Sequence, residues 1–366
     1  MLGGSPFGPP LQQGFVTGLL LEPNGHDHGT KDVEKAMLAS AKDHIQVGLA
    51  ANLRGFVLTD FEGKERKGSE VFCYGGTPVG YAFCPTETVN YVSAHDNETL
   101  FDIISLKTPV GISVEDRCRM NHLATSIIAL TQGIPFFHAG DEMLRSKSLD
   151  RDSYNSGDWF NRLDFTYNSN NWGVGLPPKQ KNENSWPLIQ PRLADPSFKP
   201  QRSHILAAVE NFTDVLRIRY SSPLFRLRTA NAIQLPFVTL RTHHSETEDQ
   251  RLLPPERVRF HNTGPSWVPG FIVMSIEDGN EGIPGLSQLD PMWVLMIFSY
   301  IVVVFNACPT EESFSSPTLR GRTLQLHPIQ ATSTDETVKK SSYEASTGWF
   351  TVPARTTSVF VEPRKI

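Results

Sequence analysis

Cysteine is scarce: four residues in 366, at positions 73, 84, 118 and 308, with no C-x-x-C spacing. That excludes a zinc ribbon or a thioredoxin-type motif and is too few for a disulfide scaffold, so free thiols in a reducing compartment are expected. Strong charge of one sign is also missing. The formal net charge is −5, and the Lys and Arg residues are scattered rather than clustered, which leaves no electrostatic footprint for nucleic acid. The longest apolar run, MWVLMIFSYIVVVF at 292–305, has fourteen residues, short of the roughly twenty that a membrane helix needs. Its β-branched second half, Ile301 to Phe305, predicts a buried strand, so no membrane partner is expected. The opening MLGGSPFGPPLQQG has neither the basic and apolar regions of a signal peptide nor the Arg- and Ser-rich character of a transit sequence. Phosphate-binding Gly-rich loops and G-x-S-x-G elbows are absent too. His26, Asp27 and His28 stand together, but adjacent positions in a Gly-flanked loop without a partner cluster read as loop rather than metal site.

Regular patterns begin at Thr30. Val33, Met37, Ala41 and Ile45 recur at near-helical spacing behind an acidic start, predicting an amphipathic helix. Residues 54–86 read as loop. VNYVSAH, at 89–95, alternates as a strand does. Ser113 with Asp116 three residues on opens a second helix, which Gly133 and Pro135 stop. GIPFFHAGDE then reads as a short buried strand, ending near Ala139 and followed by Asp141 and Glu142. Strand, helix and strand at this spacing predict a parallel βαβ unit. Residues 145–200 are loop-rich and dense in Asp, Asn, Arg and Trp, and a stretch of that length without regular structure usually has a function. A helix follows through Ile205, Val209, Phe212, Leu216 and Tyr220. Beyond about 228 come short strands separated by Gly, Pro and Ser turns, the pattern of an all-β domain.

The informative corner is VNYVSAHDNETLFD, where a strand runs into His95, Asp96 and Asn97 before a helix. Read locally, Asp96 is a helix cap with Asn97 and Thr99 as turn formers. Two longer stretches, YVSAHDNETLFDIISLK and GIPFFHAGDEMLRSKSLDRDSYNSGDWFNRLDF, and more loosely the closing FTVPARTTSVFVEP, resemble the C-terminal part of the plant limit dextrinases. These are pullulanase-type starch debranching enzymes of the α-amylase superfamily of glycoside hydrolases. The resemblance implies a mixed α/β plus all-β chain: the last units of an incomplete (β/α)8 barrel in residues 1–228, then an antiparallel β-sandwich in 229–366. It implies a plastid setting and an α-glucan partner, branched dextrins or pullulan, cleaved at α-1,6 bonds. No cofactor is required, and a structural calcium ion is compatible with the family, although no residue here fixes its ligands.

Retaining glycosidases of this kind pair a nucleophilic carboxylate with a carboxylic acid about 5 Å away. By resemblance Asp96 is the third carboxylate, a fixed anion that stabilises positive charge on the distorting sugar. His95 and Asn97 would contact the same sugar. Arg151, Asp152, Trp159 and Asn161 make up a polar and aromatic set suited to a glucan subsite, although Arg151 with Asp152 also reads as a surface ion pair. The family's nucleophile and acid motifs do not occur. RGFVLTDFEG at 54–63 is the nearest approach, and it lacks an Arg two places before Asp60. The expectation is therefore a C-terminal fragment without hydrolytic activity of its own. A non-catalytic glucan-binding or regulatory protein, and a truncated product without function, remain alternatives. Two further departures are the polar stretch 235–256 and the unusually apolar 291–301.

Overall fold

The computed structural model describes residues 2–5, 7–234, 257–278 and 298–364. The polar stretch 235–256 and the first half of the apolar run, up to 297, lie outside the described residues.

Helix α1, Lys31–Leu49, starts where Thr30 accepts a hydrogen bond from the Val33 amide, with Asp32 and Glu34 in the first turn, where the helix dipole favours them. Its apolar face takes effect only after that turn: Val33 is exposed, while Leu38, Ala41 and Ile45 are buried. The predicted loop at 54–63 is instead half of a hairpin, in which β1, Val57–Thr59, pairs antiparallel with β2, Glu65–Lys67. Asp60 makes the turn by accepting from the Glu62 and Lys64 amides at 2.9 and 2.8 Å and from Arg66 Nε. Burial works against its charge, but these donors outweigh it and hold the carboxyl below its ordinary range.

The expected parallel pair is present and short. β3, Val89–Asn90, and β4, Ile134–Pro135, pair in parallel through two residues each. Between them run helix α2, Leu100–Lys107, and helix α3, Val114–Ala129. Ser113 caps α3 by accepting from the Asp116 amide at 3.1 Å. Gly133, at φ 81°, turns the chain into β4. The ladder ends at Asn90, whose side chain donates to the Gly48 carbonyl and Thr131 Oγ1 at 3.2 and 3.1 Å. Among the described residues no third strand pairs with β3 or β4.

Packed against α3 is the long helix Arg202–Ser221. Its Arg219 guanidinium is buried and donates to the carbonyls of Ala129, Thr131 and Gly133 at 2.5–2.9 Å. Tyr220, expected on the buried face, is exposed, and Ile218 takes that place.

The remaining chain is antiparallel sheet. The strands are β5, Val258–Phe260; β6, Phe271–Glu277; β7, Phe298–Asn306; β8, Glu312–Ser315; β9, Gln325–Leu326; β10, Ser342–Glu344; β11, Trp349–Val352; and β12, Thr356–Pro363. They form a five-stranded sheet, β5-β6-β7-β12-β9, and a three-stranded one, β10-β11-β8. The predicted buried strand at 301–305 is the middle of β7, paired with β6 and β12. Its period of two serves two cores. Ile301, Val303 and Phe305 join Met274, Val359 and the helices on one face, while Val302 and Val304 join Val273, Phe360, Phe350 and Val352 on the other. The first of these cores holds residues from both sides of position 228 without a break. Buried Arg355 adds a polar joint, its guanidinium bonding both Glu22 carboxylate oxygens at 2.6 Å and Asp116 Oδ1 at 2.8 Å.

Candidate functional site

The site lies where the chain leaves β3 for α2. Thr99, not Asp96, caps α2: its Oγ1 accepts from the Asp102 amide at 3.2 Å and donates to the Arg145 carbonyl at 2.6 Å. A cap of this type is worth ~1 kcal/mol. Asn97 takes a left-handed φ of 61°, which an Asn side chain tolerates better than most. Relieved of capping, His95 and Asp96 project outward with side chains 89% and 81% exposed, His95 Nδ1 lying 3.3 Å from Asp96 Oδ1.

They face a hollow of about 870 Å³ whose walls include His95, Asp96, Asn97, Arg151, Asp152 and Asn161. Six of the seven candidate residues thus meet in one depression. Trp159 stands apart from that wall. Gly157, at φ 97°, turns the chain so that the Trp159 ring folds back over it, beside Phe160. Asp152 Oδ2 lies 3.8 Å from Lys181 Nζ, an exposed pair of small energetic weight. A second hollow of about 660 Å³ adjoins and shares Phe7, Asp96 and Asn97 with the first.

The opposite wall is held by its own side chains. Asn182 Oδ1 accepts from the Arg151 amide at 3.0 Å, and buried Asp150 accepts from the Asp152 amide and from Asn182 Nδ2 at 2.9 and 3.0 Å. Asn161 exchanges hydrogen bonds with Ser153 at 2.9 and 3.1 Å. Arg145 donates to the carbonyls of Ala139 and Asn161 and lies 3.0 Å from His138 Nε2. Burial, with the cationic Arg145 and Lys147 adding to it, pushes His138 down to about 4 and keeps it neutral. Asp141 and Glu142, also at a strand's end in the sequence, do not reach this wall. Asp141 is buried under Ser93, whose hydroxyl donates to its carboxylate at 2.8 Å, and burial pushes it up to about 7. Glu142 accepts from the Gly140 amide.

Phe7, Ser153, Tyr154 and Lys181 also line the first hollow. Tyr154, 90% exposed, sits in the polar stretch 145–200 that stood out in the sequence, whereas Phe7 comes from a Gly- and Pro-rich opening that gave no such signal. Among the described residues no group of three or more His, Cys, Asp or Glu side chains is placed to hold a metal. His28 instead accepts from the Gln13 amide at 3.0 Å.

The arrangement offers two exposed carboxylates, an imidazole beside one of them, a guanidinium and planar amides around an open polar depression, which suits hydroxyl-rich ligands. A family model described as "Alpha-1,6-glucosidases, pullulanase-type, C-terminal" matches residues 167–248 and 255–363, more than half of the chain. The chain belongs to that family. Along 99% of its length this pullulanase-type chain is 68% identical to "Pullulanase 1, chloroplastic" of Arabidopsis thaliana, covering 35% of that protein. It is 35% identical to the pullulanase of Klebsiella pneumoniae, again over 99% of its length and 30% of that protein. The crystal structure of apo pullulanase from K. pneumoniae superposes with a TM-score of 0.84 at 33% identity, covering all of this chain and 36% of that one. The same enzyme complexed with maltotriose gives 0.83, covering all of this chain and 32% of that one. The chain thus spans about a third of the length of the pullulanases it matches. No described helix is long and apolar enough to cross a membrane.

Proposed function

We propose that this chain forms the C-terminal portion of a plastid α-1,6-glucosidase acting on branched dextrins and pullulan. Residues 1–228 contribute the last units of a (β/α)8 barrel around the parallel pair, and residues 229–366 the antiparallel β-sandwich. Asp96 is the fixed anion that stabilises the oxocarbenium-like transition state. His95, Asn97, Arg151, Asp152 and Asn161 contact sugar hydroxyls, and Trp159 lies further along the glucan path. The observation that carries this reading is the shared hollow: the exposed Asp96 carboxylate, His95 and Arg151 line one open depression. A plastid setting is supported by likeness to the chloroplastic relative.

No stretch of the 366 residues carries the family's nucleophile or acid motif. The chain therefore completes a hydrolytic site with carboxylates supplied by other polypeptide, and a structural calcium ion is compatible with the family. Affinity electrophoresis in gels containing pullulan is the test. Retarded migration of the 366-residue chain, abolished in Asp96→Ala and weakened in Arg151→Ala, is expected, with no release of reducing ends. Unretarded migration of the unsubstituted chain would sink the glucan reading. Reducing ends released by that chain would instead overturn the division of carboxylates.

A further inference from the structure

The wall opposite Asp96 depends on a loop with an uncomfortable backbone. Leu144, Ser148 and Leu149 all have left-handed φ values, 60°, 55° and 63°, and none is a glycine. Such conformations cost free energy and persist only where the surroundings over-determine them. Residues 146–150 have no helix or strand, yet all five are buried. Part of their support comes from residues 170–175, where Asn170 bonds the Leu144 carbonyl and the Ser146 amide and the Gly175 carbonyl accepts from Ser148 Oγ, and part from α2. The Asp102 carboxylate, fully buried, accepts from Ser146 Oγ at 2.6 Å and from the Lys147 amide at 2.7 Å. Ser146 Oγ in turn accepts from the Ser148 amide at 2.9 Å. From the same end of α2, Thr99 holds the Arg145 carbonyl, and Lys147 Nζ reaches back to the His95 carbonyl at 3.5 Å.

We propose that Asp102 is a positioning residue for glucan binding, its carboxylate holding the strained 144–149 loop so that Arg151 and Asp152 face Asp96 across the hollow. This rests on the function proposed above. A carboxylate buried without a bidentate cation is costly by itself. Two donated hydrogen bonds to a charged acceptor are the compensation, and they aim at the loop rather than at the core. The charged groups facing Asp102 are Lys147 and Arg145, both from the loop it holds, and Lys147 also feels Asp150 and Glu98. Burial raises the Asp102 carboxyl to about 6 against these donors. With the loop in place this carboxyl binds its proton more tightly than it would when solvated, so acidification through about 6 favours the held loop.

Asp102→Asn keeps the shape and removes the charge. Hydrogen exchange at neutral pH is expected to quicken about tenfold or more in peptides spanning 145–152, the scale of a lost charge-assisted bond, without a lower thermal midpoint. Ser146→Ala should produce a smaller change in the same peptides. Unchanged exchange there, or acceleration across the whole chain with a lowered midpoint, would overturn the assignment by making Asp102 inert or merely structural. The second readout is maltotriose titration of the full chain from about pH 8 to about pH 5, bracketing the protonation of a raised carboxyl. Relative to Asp102→Asn, the unsubstituted chain should gain affinity on acidification. His95 and His138 lie nearby in both proteins, so the difference between the two profiles is what counts, and identical profiles would overturn the proposal. If the unsubstituted chain binds no maltotriose at any pH, the glucan reading itself fails, while the exchange comparison still decides whether Asp102 holds the loop.

Discussion

The chain around the parallel pair and the chain in the five-stranded sheet satisfy the same need in different ways. In the sheet, backbone groups pair with backbone groups, so both sides of β7 are free to be apolar, and every residue from Ile301 to Phe305 is buried. Around β3 and β4 the ladders are two residues long, and loop carbonyls are met instead by buried cations and amides. Arg219 takes three of them, Arg117 takes those of Pro109 and Val110, and Gln132 takes that of Leu224. One region stores its stability in packing volume, the other in polar pairing. Only the second leaves backbone free to shape a ligand-sized depression.

Substitutions should separate the two kinds of support. The largest effect is expected in the sheet, where Phe305→Ala opens a cavity between sheet and helices and costs about 3–5 kcal/mol by urea unfolding. Arg219→Met keeps most of the volume but orphans three carbonyls, for roughly 3 kcal/mol. A cost near that of a surface substitution would break the contrast. A pH series sharpens it further. Asp141 is raised to about 7 by burial, above its unfolded range near 3.8. The folded form therefore holds the proton more tightly, and its contribution is present in acid and lost as pH rises through about 7. Asp141→Asn should flatten that decline by on the order of 1–3 kcal/mol between about pH 4 and about pH 7.5, read from chemical unfolding at each pH. The smallest change expected is Thr99→Ala, about 1 kcal/mol for the lost cap. It should also quicken amide exchange around Arg145, and a change confined to α2 would argue against that tie.

What could be read from sequence follows the same division. The βαβ unit, the Ser113 cap and the strand at 301–305 showed themselves through periodicity and local chemistry. The His95–Asp96–Asn97 corner showed itself through a resemblance that spans long stretches of residues. The hairpin at 57–67 did not, because its ladder is three residues long and the partner of Asp60 is Arg66, six places on. The strand expected through His95 is shorter, pairing only at Val89 and Asn90. Arg117, Arg219 and Lys42 look like surface charges in a sequence, yet each is buried; the two arginines meet backbone carbonyls, and Lys42 pairs with Asp43 at 2.9 Å and donates to the Asn262 carbonyl. The orientation of Trp159 depends on the backbone sign at Gly157, which composition does not reveal.

The placement of β12 has a consequence for how the polypeptide is made. This strand, at 356–363, lies inside the sheet between β7 and β9, and the neighbouring Arg355 grips Glu22 across 333 positions of sequence. While a ribosome is still short of that point, one edge of β7 has no mate and the acidic side chain near the amino end has no cation. A half-made molecule would present a sticky ribbon to its neighbours, so chains ending before residue 356 should recruit chaperones that the 366-residue chain releases.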